Sequence, residues 1–430
     1  MKSEKYFNII IFIPITSFII GFFLNENSAG VGPFAIDSGH IRDNINIFLN
    51  NNLKEAILHP DLFGNRTPLI YVIHKLINPF FGDYEKFRVI VFLISLIGPI
   101  ILFKLLVLKF QNVDKNLLFL LSSIVYLSPY YRTSAYWGLN ENYGLISTII
   151  SFFFLEKFIQ STSKKKLNIF LVILFSSLTV YFDLKLLITP IICFCYIIFN
   201  NNNKIKFFTI ALYSLFSLPY LYLIYKWNGI VPPLTQIENP KTITALSDIK
   251  NLYFINIGYA ATLIGFYLFP FILFVEKNIY ENIKEILKSR FYQILIFIII
   301  SFILYNALFF DFVKYTHSEY LMGLGVIHKL SIILTKNFIL QEIITYLFFL
   351  ASFLLLVFFY KLNKFDAIIL VYFLIISIFL WPLMQEYFDP IIIILCLAIF
   401  KSIKKFNKIN SILHLFYFSL FLIIANIYYY

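Results

Sequence analysis

Phe7-Asn-Ile-Ile-Ile-Phe-Ile-Pro-Ile-Thr-Ser-Phe-Ile-Ile-Gly-Phe-Phe-Leu24 is an apolar run, and the first long hydrophilic stretch of the chain, residues 25–87, follows it directly. A helix needs about 18 or more such residues to cross a ~30 Å hydrocarbon core. The pattern recurs at 88–109, 116–131, 142–159, 168–182, 186–199, 207–225, 253–275, 292–310, 338–360, 366–383, 390–400 and 411–430, which makes thirteen expected spans. Composition agrees: 60% hydrophobic residues, 13% charged residues and a mean hydropathy of +0.82 describe an all-α, polytopic integral membrane protein. A single membrane domain over 1–430 is expected, with outer loops at 25–87, 226–252 and 311–337. Phe22-Phe23-Leu24-Asn25 offers no small-residue cleavage pattern, so the first run reads as a signal anchor.

The net charge of +12 sits in short segments between apolar runs rather than on one basic face, which argues against a nucleic-acid partner. With a cytoplasmic N-terminus, 21 of the 35 Lys and Arg fall in the shorter, inner segments. The expected orientation is therefore N-in and C-out across a bacterial inner membrane, with the 25–87 loop on the outer face. Trp137, Trp227 and Trp381 are expected at the outer interface. Asp183 and Lys185 favour two short helices meeting at an outer turn over one long helix across 168–199. Cys193, Cys195 and Cys396 lie inside expected spans, so neither a disulfide framework nor a zinc site is expected, and no cofactor or metal is called for.

Residues 25–87 carry the cluster Asp37-Ser-Gly-His40-Ile-Arg42-Asp43. Ile41, Ile45, Phe48 and Leu49 follow helical spacing, which predicts an amphipathic helix on the outer membrane surface. Thr67-Pro68 predicts the start of a second one, an N-cap followed by proline, running through Leu69, Ile73, Leu76 and Ile77. His59-Pro-Asp61 to Arg66 reads as a polar turn between them.

An acidic residue at the outer mouth of the first span, two juxtamembrane helices and the stretch Arg66-Thr67-Pro68-Leu69-Ile70-Tyr71 together resemble the GT-C glycosyltransferases. These include protein O-mannosyltransferases and aminoarabinose transferases. The second outer loop, Ser128-Pro-Tyr-Tyr-Arg132 to Glu141-Asn142, is similar to that superfamily's short polar loop. The resemblance implies transfer of a sugar from a polyprenyl-phosphate donor to a glycan, lipid or protein acceptor. It also implies Asp37 as catalytic base, although Asp37 is followed by Ser38 where many members carry an adjacent acid. Such a donor already has an activated anomeric carbon, so one carboxylate to deprotonate an acceptor hydroxyl and one or two cations for the leaving phosphate suffice. Arg suits phosphate because its planar fork matches the oxygens. The candidate set is Asp37, with His40 beside it and Glu141 assisting, and Arg66, Arg132 and Lys185 on the phosphate side. Asp43 and His59 are further substrate contacts.

The same residues have plainer readings. Asp37 could cap a helix, Arg66 and Arg132 could reach for headgroups, Lys185 and Asp183 could hold a turn, and Glu141 could be an acid at a helix start. The segment 314–320, with His328-Lys329 beyond it, is polar enough for a lid or a connector. Gln385 to Pro390 is similar to a late tyrosine-containing loop of some lipid-linked glycosyltransferases. Asn65-Arg66-Thr67 matches a glycosylation sequon by chance composition. A transporter or flippase of lipid-linked glycans and an O-antigen-type polymerase are the alternative classes.

Overall fold

The structure is a computed structural model that describes residues 7, 9–30, 36–64, 66–160, 165–238, 252–254, 256–275, 293, 300–301, 325–380 and 383–429. Among these residues the secondary structure is helical, and the only strand-like feature is an isolated bridge between Val275 and Ile403. Seven helices among the described residues are long and apolar enough to cross a membrane: Tyr84–Lys109, Glu141–Gln160, Lys165–Phe182, Asn203–Trp227, Asn256–Phe274, Ile339–Leu362 and Lys408–Tyr429. Several other expected spans form shorter helices, and 3-10 segments at Ile124–Leu127 and Leu184–Leu187 overlap two of them. The expected span at 292–310, the segment 314–320, Asn65, Trp381 and the His328 side chain lie outside the described residues, positions 293, 300 and 301 excepted.

Contacts divide the chain into two compact units, Met1–Pro240 with Leu415–Tyr430, and Lys241–His414. In the first unit the helices in order are α1 (Ile13–Phe23), α2 (Ile36–Asn50), α3 (Leu53–Ile57), α4 (Leu69–Ile77), α5 (Tyr84–Ser95), α6 (Ile97–Lys109), α7 (Lys115–Ser123), α8 (Pro129–Trp137), α9 (Glu141–Gln160), α10 (Lys165–Phe182), α11 (Ile188–Phe199), α12 (Asn203–Trp227) and α13 (Pro233–Glu238). The stretch 168–199 is two helices joined by a 3-10 turn, with the Asp183 side chain accepting from the Lys185 N–H at 3.0 Å.

Helix α8 is the hub of this unit, and it occupies what the sequence presents as a polar loop. Ser128 caps its start by accepting from the Tyr131 N–H, and Gly138 ends it with φ of 76°, a left-handed geometry that glycine adopts without strain. All but one of its residues are buried, so its charged and aromatic polar groups need partners inside, while the Thr133 hydroxyl is left without a hydrogen bond. Arg132, 1% exposed, finds its partners through Nε to Glu26 Oε1 at 2.7 Å and Nη2 to Glu26 Oε2. Its Nη1 donates to Tyr126 O at 3.0 Å, and Nη2 also reaches Ser17 O at 2.9 Å. A Cβ at Gly21 would run into Arg132, Glu26 and the Tyr136 hydroxyl, so only glycine lets α1 come this close.

The aromatic residues of α8 hold the neighbouring helices in the same manner. Tyr136 donates to Phe18 O at 2.6 Å, Tyr131 donates to Ser95 O, and Arg88 lies 4.2 Å over the Trp137 ring. Trp137 and Trp227 do not present their rings to the surroundings of the protein. Both are buried, and they donate through Nε1 to Glu26 O at 3.1 Å and Ile57 O at 3.2 Å, because each ring finds a carbonyl partner within the protein.

The first hydrophilic segment folds as a layer whose apolar residues join a core shared with Phe87, Val91, Tyr143, Phe182 and Trp227. Ile41, Ile45 and Phe48 of α2 are buried against Leu62, Ile70, Tyr71 and Phe81, so the apolar face of α2 packs on protein, not on lipid. Each such side chain contributes roughly 1.5–3 kcal/mol. Helix α4 begins one residue later than expected, at Leu69. The Thr67 hydroxyl donates to Tyr181 O at 2.6 Å instead of capping the helix. Its buried face is Ile70, Tyr71 and His74, while the expected Leu76 and Ile77 are 65% and 74% exposed, leaving an outward apolar edge. Asn44 clamps the connecting turn by donating to Phe63 O at 2.7 Å and accepting from Phe63 N at 3.1 Å.

The second unit contains α14 (Asn256–Leu268), α15 (Gly325–Leu334), α16 (Phe338–Leu362), α17 (Lys364–Ser377) and α18 (Ile391–Ala398), and a further helix, α19 (Lys408–Tyr429), starts within it. Buried Asp366 accepts from the N–H groups of Lys401 and Ser402 and from the Ser402 hydroxyl at 2.7 Å, which fixes the turn after α18. Gln385 donates to the Tyr267 hydroxyl at 2.6 Å, tying the 385–390 turn to α14.

Glu26→Ala leaves a buried guanidinium without its counter-ion. It is expected to cost about 3–5 kcal/mol, read as a lower Tm of the purified protein. An unchanged Tm would show that this pair does not hold α1 to α8.

Candidate functional site

Thr67 and Pro68 separate two spaces. On one side is a small polar cleft of about 60 Å³, whose lining includes His40, Asn44, Phe63, Arg66 and Asn140. On the other is an apolar cavity of about 440 Å³ lined by Ile57, Leu58, Val72, Tyr181, Pro219 and Leu223, with Lys54 among its walls. Thr67 and Pro68 line both. The loop that carries them is pinned from three sides: Asn44 holds Phe63, Thr235 accepts from the Gly64 N–H at 2.8 Å, and Thr67 donates to Tyr181.

Arg66 leads from the cleft into a charged cluster that joins three of the expected site residues. Its Nη1 donates to Glu141 Oε1 at 2.6 Å, and Lys185 Nζ stands 4.0 Å from the same oxygen. Ser134 donates to Glu141 Oε2 at 3.3 Å. The three charged side chains are 15–17% exposed, so their attractions are little screened by water. Asp183 is buried beside them. Burial raises its pKa, and the charges of Lys185 and Arg66 oppose that rise. Glu141 is the first residue of α9, where the helix dipole also favours an anion.

The other expected residues are placed differently. Asp37 stands in the first turn of α2, three residues ahead of His40; its side chain lies outside the described residues. His40 stacks on Phe63 with ring centroids 3.6 Å apart and faces the cleft. Asp43 is exposed on α2 and does not line the cleft. His59 sits in the polar turn, its Nδ1 accepting from the Asp61 N–H at 3.2 Å. The guanidinium of Arg132 is engaged with Glu26, Ser17 and Tyr126, which makes it a structural residue of α8 and not a cation of the cleft.

Sequence reasoning passed over Glu26, Ser134, Asn44 and His74. Glu26 had a signal, a carboxylate two residues beyond an apolar span that needs a partner. His74 had only its i,i+4 neighbour Asn78, 3.0 Å away, since its other partner, Tyr143 at 2.7 Å, meets it only in the fold. Burial lowers the His74 pKa from 6.5 to about 4.

No family model matches this chain, and neither a curated protein nor a solved structure matches it.

Because the folded state favours neutral His74, its contribution to stability is complete above pH 6.5 and is lost as pH falls toward about 4. The expected loss is about 3 kcal/mol. In His74→Gln the Tm of the purified protein should depend less on pH across that window. An identical Tm profile in the two proteins would refute the assignment.

Proposed function

We propose that this protein is a GT-C-like membrane glycosyltransferase that moves a sugar from a polyprenyl-phosphate donor to an acceptor on the outer face of a bacterial inner membrane. The observation that carries this reading is the pair of spaces about Thr67 and Pro68, an apolar cavity against a cleft that opens on Arg66. A ligand that fits both has an apolar tail and an anionic head. A lipid-linked sugar phosphate has that form.

In the proposed reaction Asp37 takes the proton of an acceptor hydroxyl, whose oxygen then bonds to the anomeric carbon. The bond from that carbon to the phosphate oxygen breaks, and the electron pair leaves on the phosphate. Arg66 and Lys185 stabilise the departing charge, and the proton on Asp37 passes to solvent. Helical spacing supports Asp37 in this role, because positions 37, 40, 41 and 44 recur on one face and the last three line the cleft. The topology that goes with this reading has thirteen spans, a cytoplasmic N-terminus and the α2–α4 layer on the outer side.

Asp37→Asn is expected to lower sugar transfer by about 10²–10⁴-fold in a reconstituted assay, the range for loss of a general base. Mass spectrometry of surface glycans from cells carrying the deletion, the restored gene or Asp37→Asn identifies the product. Full transfer by Asp37→Asn at equal membrane abundance would remove Asp37 as the base, whereas no transfer by the unaltered protein, with the deletion phenotype rescued fully by Asp37→Asn, would sink the reading and favour lipid-linked glycan transport.

A further inference from the structure

The Glu141 carboxylate occupies a position that suits a phosphate better. Arg66 and Lys185 converge on one of its oxygens, Ser134 holds the other, and the N-terminus of the 20-residue helix α9 lies behind it. Arg66 Nη1 donates to Glu141 Oε1, and a guanidinium fork matches the oxygens of a phosphate as well as those of a carboxylate. Arg66 and Asn140, the residue before Glu141, both line the cleft, so an anion arriving there meets the guanidinium that holds Glu141.

We propose that Glu141 is an internal competitor for a phosphate seat formed by Arg66, Lys185 and the start of α9, and that a phosphate ester binds by displacing the carboxylate from Arg66. This rests on the lipid-phosphate reading only for the source of the phosphate. It replaces the expectation that Glu141 assists the base, since a carboxylate held by two cations is a poor proton acceptor. The competition is reciprocal: whatever loosens Glu141 tightens the ester, and the ester frees Glu141.

The test titrates the full-length protein in phosphatidylcholine nanodiscs with dodecyl phosphate, inorganic phosphate and dodecanol. Removing one competing charge-assisted hydrogen bond should tighten dodecyl phosphate about tenfold in Glu141→Gln. Ser134→Ala, which loosens the carboxylate and leaves every charge in place, should tighten it about threefold. Arg66→Gln should weaken it, and dodecanol should not respond to any variant. Unchanged or weaker dodecyl phosphate binding in Glu141→Gln overturns the proposal. If Glu141→Gln does not elute as a folded species, Ser134→Ala decides in the same sense. Equal tightening of dodecyl phosphate and inorganic phosphate, with no gain from the chain, keeps the seat and overturns the lipid-linked donor.

Discussion

A guanidinium sealed among aromatic rings has to be met by a carboxylate and by carbonyls, and the first unit is arranged to meet Arg132. Glu26 supplies the carboxylate from the end of α1, and Ser17 and Tyr126 supply carbonyls. Breaking such a pair strands a charge in a poorly solvating interior, so α1 and α8 are not free to separate. Gly21 is where the contact becomes possible, because any side chain there would occupy the space of the pair. Once α8 is held, Tyr131 bonds the carbonyl of Ser95 at the end of α5, Tyr136 bonds that of Phe18 within α1, and Ser134 on the same helix is set beside Glu141.

The site inherits its geometry from that hub on one side and from the loop layer on the other. Arg66 belongs to a turn that would wander if Asn44, Thr67 and Thr235 did not bind its backbone neighbours. Lys75 adds to the layer by donating to Phe48 O and to Asn51 O at 2.5 Å, which ends α2 with a cation where the helix dipole is negative. Thr67 and Pro68 thereby stand between the cleft that holds Arg66 and an apolar space on the other side. A flexible loop could not keep the two kinds of surface apart.

Much of this was legible in one dimension and some of it was not, for reasons that differ by residue. Ile41, Ile45 and Phe48 announced a helix by their spacing, and the helix is there, but spacing does not say what covers an apolar face. Asp183 marked the break after Phe182, since a carboxylate is costly inside an apolar helix and useful at a helix start. Glu141, Arg66 and Lys185 were each singled out as charged groups near the outer face. Their meeting depends on a turn, a helix start and a 3-10 segment folding to one point. Arg132 misled because a lone arginine in a polar stretch looks available for phosphate, and its partner Glu26 is 106 residues away.

By itself the sequence determined the class of molecule: helical, built of apolar runs, with a polar segment after the first run and charges gathered near its turns. Those properties follow from local composition and period, which act on each segment separately. Only the tertiary structure decided which cations are bound up in the framework and which face a cleft, because Arg66 and Arg132 carry the same charge and differ only in their surroundings. It also decided that Trp137 and Trp227 lie inside, and that the first hydrophilic loop is a packed layer. Such outcomes depend on contacts between segments far apart in the chain, which no window along it contains.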